Sequence, residues 1–410
     1  MQESRDGQPL RPGQRRAVAT GQARGGPAAG RHARQRARSR RRRPGEAVGR
    51  RERSRGRPTP PRYTARRAHP LTRSRTQEFG AAFNALGAVS YPAAALWPSR
   101  FVAAVFRQLL DAHPGRISIE THTPATAVEL LAPGAPRPFR VVTPRGAVAA
   151  RHVVHATNAF APHLVPGLRG KLTGCRAHMT AQRPGPGFPG TPKGDRSWGL
   201  IHAKGFDYMT QRPCPRHARA TPPSTGAGGA TGCGHGDLLL GGGLFRSGEG
   251  GMDQIGVWDD GGLDALSVAH LHGILPALAA VGAGDGAPAV AQAGTAWSGT
   301  IALTADALPL VGRLDERFTG RRQQGSGSNA PGEWIAAGYN GEGMVFAWLC
   351  GAAAARMVAG TDEDSLDAAE ARLAGQPPGK VADWLPHELR ISWERLEGKS
   401  LADLAGALSV

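Results

Sequence analysis

Apolar residues recur every three to four positions in the segment WPSRFVAAVFRQLLDAH, the first strongly periodic stretch of the chain. Pro98 stands near its start, and the HPG sequence that follows provides a stop. This spacing places the apolar side chains on one side of a helix. We therefore predict an amphipathic helix whose apolar face carries Phe101, Val102, Val105, Phe106, Leu109 and Leu110.

Three short runs rich in β-forming residues follow this helix: RISIETHTPATAVELL, FRVVTPRG and AARHVVHATNAF. A proline- and glycine-rich turn separates the first two, and the second and third meet at PRG. Turn residues between apolar runs are typical of strands joined by short loops. The pattern predicts a small β-meander that ends in a buried strand, HVVHATN.

Longer segments with alternating apolar and polar positions come next: KLTGCRAHMTAQRP, SWGLIHA, GFDYMTQRP and GDLLLGGGLF. A predicted helix, LDALSVAHLHGILPAL, precedes a further long segment, VAQAGTAWSGTIALTADALPLVGRLD. Alternation of this kind favours an antiparallel sheet with one solvated face. Such a sheet suits a substrate-binding domain.

The segment EWIAAGYNGEGMVFAWLCGAAAARMVAG predicts a strand, a glycine turn and a long helix. A helix start carries unpaired N–H groups and partial positive charge, and glycines there let the backbone approach an anionic or electron-rich group. An ordinary strand-to-helix turn is the alternative interpretation. Strand, glycine turn and helix in this order favour a nucleotide-binding domain.

Positive charge is concentrated in the first 75 residues, which hold 23 arginines, no lysine and four acidic residues. The other 335 residues carry 28 basic and 28 acidic side chains. The first segment has few large apolar residues, so we predict that it is disordered. Three origins stay open for it: a sequence that is not natively translated, a disordered arm, or an organelle transit peptide. Its only aromatic residue is Tyr63, which argues against a nucleic-acid partner.

No apolar run reaches the about eighteen residues needed to cross a bilayer, so we expect no membrane partner. We predict a cytoplasmic protein and leave mitochondrial and peroxisomal locations open; the oligomeric state is open as well. The cysteines form no C-x-x-C pair, which argues against a disulfide framework or a zinc site. We predict no metal, although one glycine- and proline-rich insertion gathers Cys214, His217, Cys233 and His235.

Three segments, HVVHATNAFAPHL, AWSGTIALTADALPLVG and WIAAGYNGEGMVFAWLCGAAAARMVAG, together resemble the D-amino-acid oxidase superfamily of FAD-dependent oxidoreductases, which includes glycine oxidase and sarcosine oxidase. Their order and spacing match the family over residues 76–362. The resemblance implies an α/β (α+β) fold in which FAD lies in a Rossmann-like domain and its ring faces an antiparallel substrate sheet. The expected division is a disordered segment at 1–75, FAD-binding parts at 76–170 and 301–365, a substrate domain at 171–300 and a helical tail at 366–410.

The resemblance also implies site residues. On the substrate side it points to Tyr208 and Trp297 as catalytic candidates, and a tyrosine that is merely packed in the sheet is the alternative for Tyr208. His155 and His178 are interpreted as structural. The cofactor candidates are Ala125, Ala156, Thr157, Asn158, Asp306, Pro309, Gly338, Asn340, Gly341, Gly343 and Met344.

Two departures from the family pattern stand out. No strand, G-x-G-x-x-G turn and helix precede residue 76, and the nearest glycine set, GQARGGPAAG, has no apolar strand before it. The FAD-binding domain is therefore expected to be incomplete. In addition, Ile301 occupies the position where relatives often hold the substrate carboxylate with an arginine. The cations that could replace that arginine are Arg176, Arg212, Arg246 and Lys204.

The resemblance implies an FAD-dependent oxidoreductase that oxidises a C–N bond of a small amine or amino acid by hydride transfer, with oxygen as acceptor. The alternative is a truncated, catalytically incompetent remnant that does not retain FAD.

Overall fold

The strands of this protein form three separate sheets in the part of the chain that the computed structural model describes, residues 91–403 without 133, 184–193, 195, 202–204, 214–235, 280–293, 323–324 and 326–329. These residues belong to one compact unit, Tyr63–Val410. The strands are β1 Ala127–Leu130, β2 Phe139–Thr143, β3 Gly146–Ala150, β4 His152–His155, β5 Leu172–Gln182, β6 Ser197–Ile201, β7 Phe206–Gln211, β8 Leu238–Gly242, β9 Ala296–Thr304, β10 Leu310–Arg313 and β11 Gly332–Ala337.

Helices connect and cover these sheets. The α-helices are α1 Pro98–Ala112, α2 Ala161–Leu164, α3 Ala265–Ala279, α4 Glu316–Thr319, α5 Gly343–Ala359, α6 Ala368–Leu373, α7 Val381–Trp384 and α8 Trp393–Leu396. Short 3-10 helices occur at Asn158–Phe160, Pro166–Leu168, Leu244–Arg246, Met252–Gln254 and His387–Leu389. Among the described residues, no helix is both long and apolar enough to span a membrane.

The largest sheet has five antiparallel strands in the order β6-β7-β8-β5-β9. Helix α3 covers one side of it, where alternate side chains of β7 and β8 pack against the helix. This core contains Met209, Leu238, Leu240, Leu271, Ile274 and Leu275. The alternating pattern therefore predicts this sheet correctly, including its one open side.

The early β-rich runs fold differently from the predicted meander. Strands β1, β2 and β3 do form an antiparallel sheet, but β1 begins only at Ala127. Upstream of it, Pro124 interrupts the run, and His122 has a left-handed φ of 52° that a strand does not allow. Strand β4 leaves the meander altogether and pairs in parallel with β11, almost 180 residues later in the chain. Local spacing could not predict that long-range pairing.

The third sheet, β10-β11-β4, joins the middle of the chain to its later part. All six residues of β11 are buried, and one of them is the charged Glu333. Its carboxylate accepts a hydrogen bond from His155 Nε2 at 2.8 Å and two from Arg321, both at 2.7 Å. His155 therefore has a structural role, as the sequence suggested. The network links β4, β11 and the segment after α4 inside the core.

Helix α1 matches its sequence prediction in bounds but not in packing. It has none of its residues buried, and its apolar face is open, with Phe101, Val102 and Phe106 each more than 40 % exposed. Phe101 contacts Trp348 on α5 at a ring-centroid distance of 5.6 Å. The periodicity thus identifies a helix without identifying what covers it.

Replacing Glu333 by Gln should lower the free energy of unfolding by about 3 kcal/mol, because Arg321 and His155 would lose the carboxylate that they share in the core. Urea-induced unfolding measures the loss. Glu129→Gln is the control, since Glu129 pairs with Arg140 on the exposed surface at 3.0 Å, and it should unfold like the parent chain. An unchanged unfolding free energy for Glu333→Gln would contradict the role given to this network.

Lowering the pH should destabilise the folded protein, because it protonates the buried Glu333 carboxylate. Burial alone would raise the pKa of Glu333, but hydrogen bonds from His155 and Arg321 outweigh it and hold this pKa below its ordinary value. The stabilisation is complete above the ordinary carboxylate pKa of about 4.3 and is lost as pH falls from there through the folded-state pKa. Unfolding free energies measured across this window should fall less steeply for Glu333→Gln than for the parent chain; equal slopes would contradict the assignment.

Candidate active site

The ends of the parallel strands β4 and β11 meet at one edge of their sheet. His155 at the end of β4 lies opposite Ile335 near the end of β11, so the segments that follow the two strands leave the sheet side by side. The segment Ala156–Asn158 continues from β4, and the glycine turn Gly338–Glu342 continues from β11 to the start of α5. Ligands of α/β folds bind at the carboxyl ends of parallel strands, which makes this edge the candidate cofactor site.

Asn158 joins the two strand ends directly. Its Oδ1 accepts a hydrogen bond from the backbone N–H of Gly338 at 2.9 Å and a longer one from that of Tyr339 at 3.5 Å. The backbone of Asn158 has a φ of 46°, a left-handed conformation that glycine and asparagine adopt more readily than other residues. That backbone requirement explains why asparagine suits this position.

Asn340 connects the glycine turn to the five-stranded sheet. Its Oδ1 accepts from the backbone N–H of Thr304, the last residue of β9, at 2.8 Å, and its Nδ2 donates to the Gly338 carbonyl at 2.8 Å. Gly338 has a φ of 79°, and a Cβ there would lie 2.5 Å from Thr304 Cγ2. The turn is therefore fixed against the end of β9.

The start of α5 is open above this turn. The helix has no side-chain cap, and Met344 in its first turn is 59 % exposed. A Cβ added to Gly341 would meet only Ile301 Cδ1 at 3.7 Å, and one added to Gly343 would meet only Tyr339 at 3.9 Å or more. The first turn of the helix thus offers its backbone to an electron-rich group, as glycines at a helix start allow.

The loop between β9 and β10 contains two further predicted residues, Asp306 and Pro309, and the C-terminal part of the chain holds it in place. Arg395 donates to both carboxylate oxygens of Asp306, at 2.8 and 3.1 Å, and to the carbonyls of Leu308 and Pro309. Burial favours a raised pKa for Asp306, but the hydrogen bonds and charge of Arg395 reverse it and lower the pKa. The carboxylate is therefore a fixed anion that anchors the loop.

The side of the five-stranded sheet opposite α3 is its open face, defined by Ile201, Phe206, Tyr208, Met179, Trp297 and Ile301. Tyr208 and Trp297 lie in one row across the strands. Tyr208 pairs with Gly241 on β8, Gly241 pairs with Met179 on β5, and Met179 pairs with Trp297 on β9. The Tyr208 hydroxyl donates to Met179 Sδ at 3.1 Å. Both catalytic candidates thus project on the same side of the sheet.

Ala125 stands apart from the other predicted cofactor residues. It is exposed and precedes β1, in the antiparallel meander rather than in the sheet that ends at the glycine turn. Ala156 and Thr157 are exposed at the strand edge beside Asn158. The structure brings the segments at the strand ends, the glycine turn and Asp306 to neighbouring elements. Ala125 instead lies in the loop before β1, which belongs to a different sheet.

The four candidate cations differ in their position relative to the open face. Arg176 alternates with the open-face residues of β5 and donates from Nε to Gln254 at 2.9 Å on the opposite side. Arg212 lies beyond β7, 4.5 Å from the Trp97 ring centroid and 3.6 Å from Asp237. Arg246 is exposed in the 3-10 helix after β8, and Lys204 lies outside the described residues. Arg176 therefore lies on the side of the sheet opposite the open face, because side chains alternate along a strand.

The remaining titratable candidates have structural surroundings. His178 Nε2 accepts from the backbone N–H of Asp264 at 2.9 Å, and burial, followed by the charge of Arg176, lowers its pKa. Cys175 and Cys350 are buried free thiols, and burial raises both pKa values to about 11. Cys214, His217, Cys233 and His235 lie outside the described residues.

Comparison with known proteins places these features in one family. The model of the family described as FAD dependent oxidoreductase (DAO) matches residues 23–357. The chain belongs to this family. A search of curated proteins finds no match.

Solved structures similar to this FAD-dependent oxidoreductase family member include three enzymes of low sequence identity. Glycine oxidase from Geobacillus kaustophilus shares 18 % identity over 72 % of this chain and 63 % of that one, with a TM-score of 0.46. L-amino acid deaminase from Proteus vulgaris shares 16 % identity over 73 % of this chain and 60 % of that one, with a TM-score of 0.42. Iminodiacetate oxidase from Chelativorans sp. BNC1 shares 14 % identity over 77 % of this chain and 65 % of that one, with a TM-score of 0.41. The chain spans less than two thirds of the length of each.

The strand edge fits the flavin that the family uses. The uncapped start of α5, together with Gly341 and Gly343, leaves backbone N–H groups accessible on the side of Ile301. This suits a flat ring with an electron-rich edge. The pyrophosphate of FAD needs a separate glycine turn, and the candidate sequence GQARGGPAAG lies outside the described residues.

Three residues shape this site without being among the sequence candidates: Thr304, Arg395 and Met179. Strand alternation in RAHM could have placed Met179 on the side opposite His178. The partners of Thr304 and Arg395 are 36 and 89 residues away in the chain. No local pattern indicates such contacts.

Asn158→Leu should destabilise the fold by about 2 kcal/mol, because leucine resists the left-handed backbone and cannot accept from Gly338. Asn158→Gly keeps the backbone and loses only the hydrogen bond, so its loss should be about 1 kcal/mol. Urea-induced unfolding of both variants measures whether the leucine variant loses more unfolding free energy than the glycine variant. A glycine variant as unstable as the leucine variant would show that the backbone conformation is not what selects Asn158.

Arg395→Met should cost about 3 kcal/mol of unfolding free energy, because it leaves the Asp306 carboxylate buried with only Lys399, at 3.7 Å, as a cationic neighbour. Thermal and urea unfolding measure this loss. Arg317→Gln is the matched control in the same region, since its pair with Glu394 is exposed. If both variants unfold alike, the Arg395 contact does not anchor the loop.

Proposed function

We propose that this chain oxidises the carbon–nitrogen bond of a small amine or amino acid with bound FAD. The observation that carries the proposal is the junction of the glycine turn with the open sheet face. Asn340 binds the end of β9, and β9 carries Trp297 and Ile301 on the open face. A flavin ring on the turn would therefore stand beside the aromatic face where a substrate can lie.

The cofactor would be held by residues of both strand ends. Gly338, Asn340, Gly341, Gly343 and Met344 would lie beneath the ring, with Ala156, Thr157 and Asn158 beside them. Asp306 and Pro309 would shape the loop next to it. Ala125 is proposed for the adenine end on the family resemblance alone.

When bound, FAD supplies a hydride acceptor for the substrate carbon next to nitrogen, and molecular oxygen is the proposed final acceptor. The protein's own part is to orient and to shield. The partial positive charge of the α5 N-terminus would stabilise negative charge that develops on the ring. Tyr208 and Trp297 would hold the substrate carbon toward the glycine turn. Burial raises the pKa of Tyr208, so its hydroxyl stays neutral at physiological pH and serves as a contact rather than a base.

A specific observation favours a second candidate, a chain that does not retain FAD. The apolar faces of α1 and of the first turns of α5 are exposed, with Val345 at 71 % and Trp348 at 50 %. Apolar surface of this extent is typical of a face that another segment or molecule covers. The two candidates differ in whether the purified chain holds a flavin.

Anaerobic addition of an amine to the FAD-loaded chain should bleach the flavin absorption band, and admission of air should restore it. Trp297→Ala should slow the bleaching by about tenfold or more, because the substrate loses a wall of its site. Trp198→Ala is a control on the side of the sheet that α3 covers. Bleaching that fails with every amine and amino acid, although flavin is bound, would contradict the proposed activity.

A further inference from the structure

The open face of the sheet is uncharged along three successive cross-strand rows. The row nearest the glycine turn holds Ile301 opposite Cys175. The next pairs Gly299 with Ala177 and Phe206 with Ile201. The third runs across all five strands as Gly199, Tyr208, Gly241, Met179 and Trp297.

Charged side chains of the same strands alternate to the other side. Asp207 lies between Phe206 and Tyr208 on β7 and binds His270 on α3 at 2.7 Å. Arg176 binds Gln254, as described above. Strand alternation thus separates the charges on one side from an apolar and aromatic surface on the other.

This surface is accessible and has room above it. Ile201 is 89 % exposed, Phe206 62 %, Tyr208 42 % and Trp297 40 %. Among the described residues, a Cβ placed on Gly199 or Gly299 would meet no atom within 4 Å, whereas one on Gly241 would collide with the Tyr208 ring. The two aromatic side chains therefore project beside glycine positions that leave space for a ligand.

We propose that the substrate is an amine with an aromatic or bulky aliphatic substituent and without a carboxylate next to the nitrogen. The inference rests on the proposed function and names its substrate class. Apolar substituents gain by leaving water for this surface, and an ammonium group is attracted to the faces of Tyr208 and Trp297. A carboxylate would lose its water without a cation on these rows to replace it.

Phenethylamine and phenylalanine form a matched pair, because they differ only in the carboxylate. Calorimetric titration of the FAD-loaded chain, kept anaerobic, should give a Kd for phenethylamine at least tenfold lower than for either enantiomer of phenylalanine. Equal or tighter binding of phenylalanine would overturn the proposal, and so would binding of neither compound. Bleaching of the flavin band tests the proposed reaction independently of the binding preference. Tight phenethylamine binding without bleaching would refute the proposed reaction while supporting the binding preference.

Ile301→Arg tests the same idea by adding the missing charge. It should strengthen phenylalanine binding at least tenfold relative to phenethylamine, whereas Ile301→Met, of similar length and neutral, should not. If Ile301→Arg does not fold, the comparison in the parent chain still decides. Arg212→Gln, Arg246→Gln and Lys204→Gln examine the remaining candidate cations: selective loss of phenylalanine binding in any of the three would reveal a carboxylate site and overturn the proposal.

Discussion

The parallel pairing of β4 with β11 is the contact on which the site depends. It joins segments almost 180 residues apart, and the Glu333 carboxylate fixes it from inside by binding His155 and Arg321. A charge buried this deeply is tolerated only when its hydrogen bonds are satisfied, so the three side chains form a unit. Because the strands end at neighbouring positions, Asn158 can reach the N–H of Gly338 and hold the glycine turn.

The strand edge of the candidate cofactor site and the open face of the five-stranded sheet are joined by direct contacts. Strand β9 carries Trp297 on the open face near its start and ends at Thr304, where Asn340 of the glycine turn binds it. The loop that follows is anchored by Arg395 from the C-terminal segment. A shift of any of these elements would change the distance between the aromatic face and the start of α5.

Much of the fold follows from the sequence because its determinants are local. Helical spacing identifies α1, alternation identifies β5 to β9, and the strand, glycine turn and helix at 332–359 are visible in the residues alone. The order of three motifs identifies the family, which the family comparison confirms. The division of the chain into domains and the roles of the site residues stay predictions.

What the sequence could not predict depends on partners distant in the chain. The pairing of β4 with β11 encloses Glu333, whose partner His155 is 178 residues away in the chain. Arg395 lies in a tail to which no role was assigned, yet it fixes the loop that contains Asp306. In each case a charged side chain acts through a contact that no short pattern encodes.

The central claim is that the two strand ends and the start of α5 form a flavin platform. The most direct test is the amount of FAD that the 410-residue chain retains after incubation with excess FAD and gel filtration, measured by visible absorption against protein concentration. The account predicts about one flavin per chain, with a stoichiometric band that survives filtration. A folded but colourless chain would contradict it.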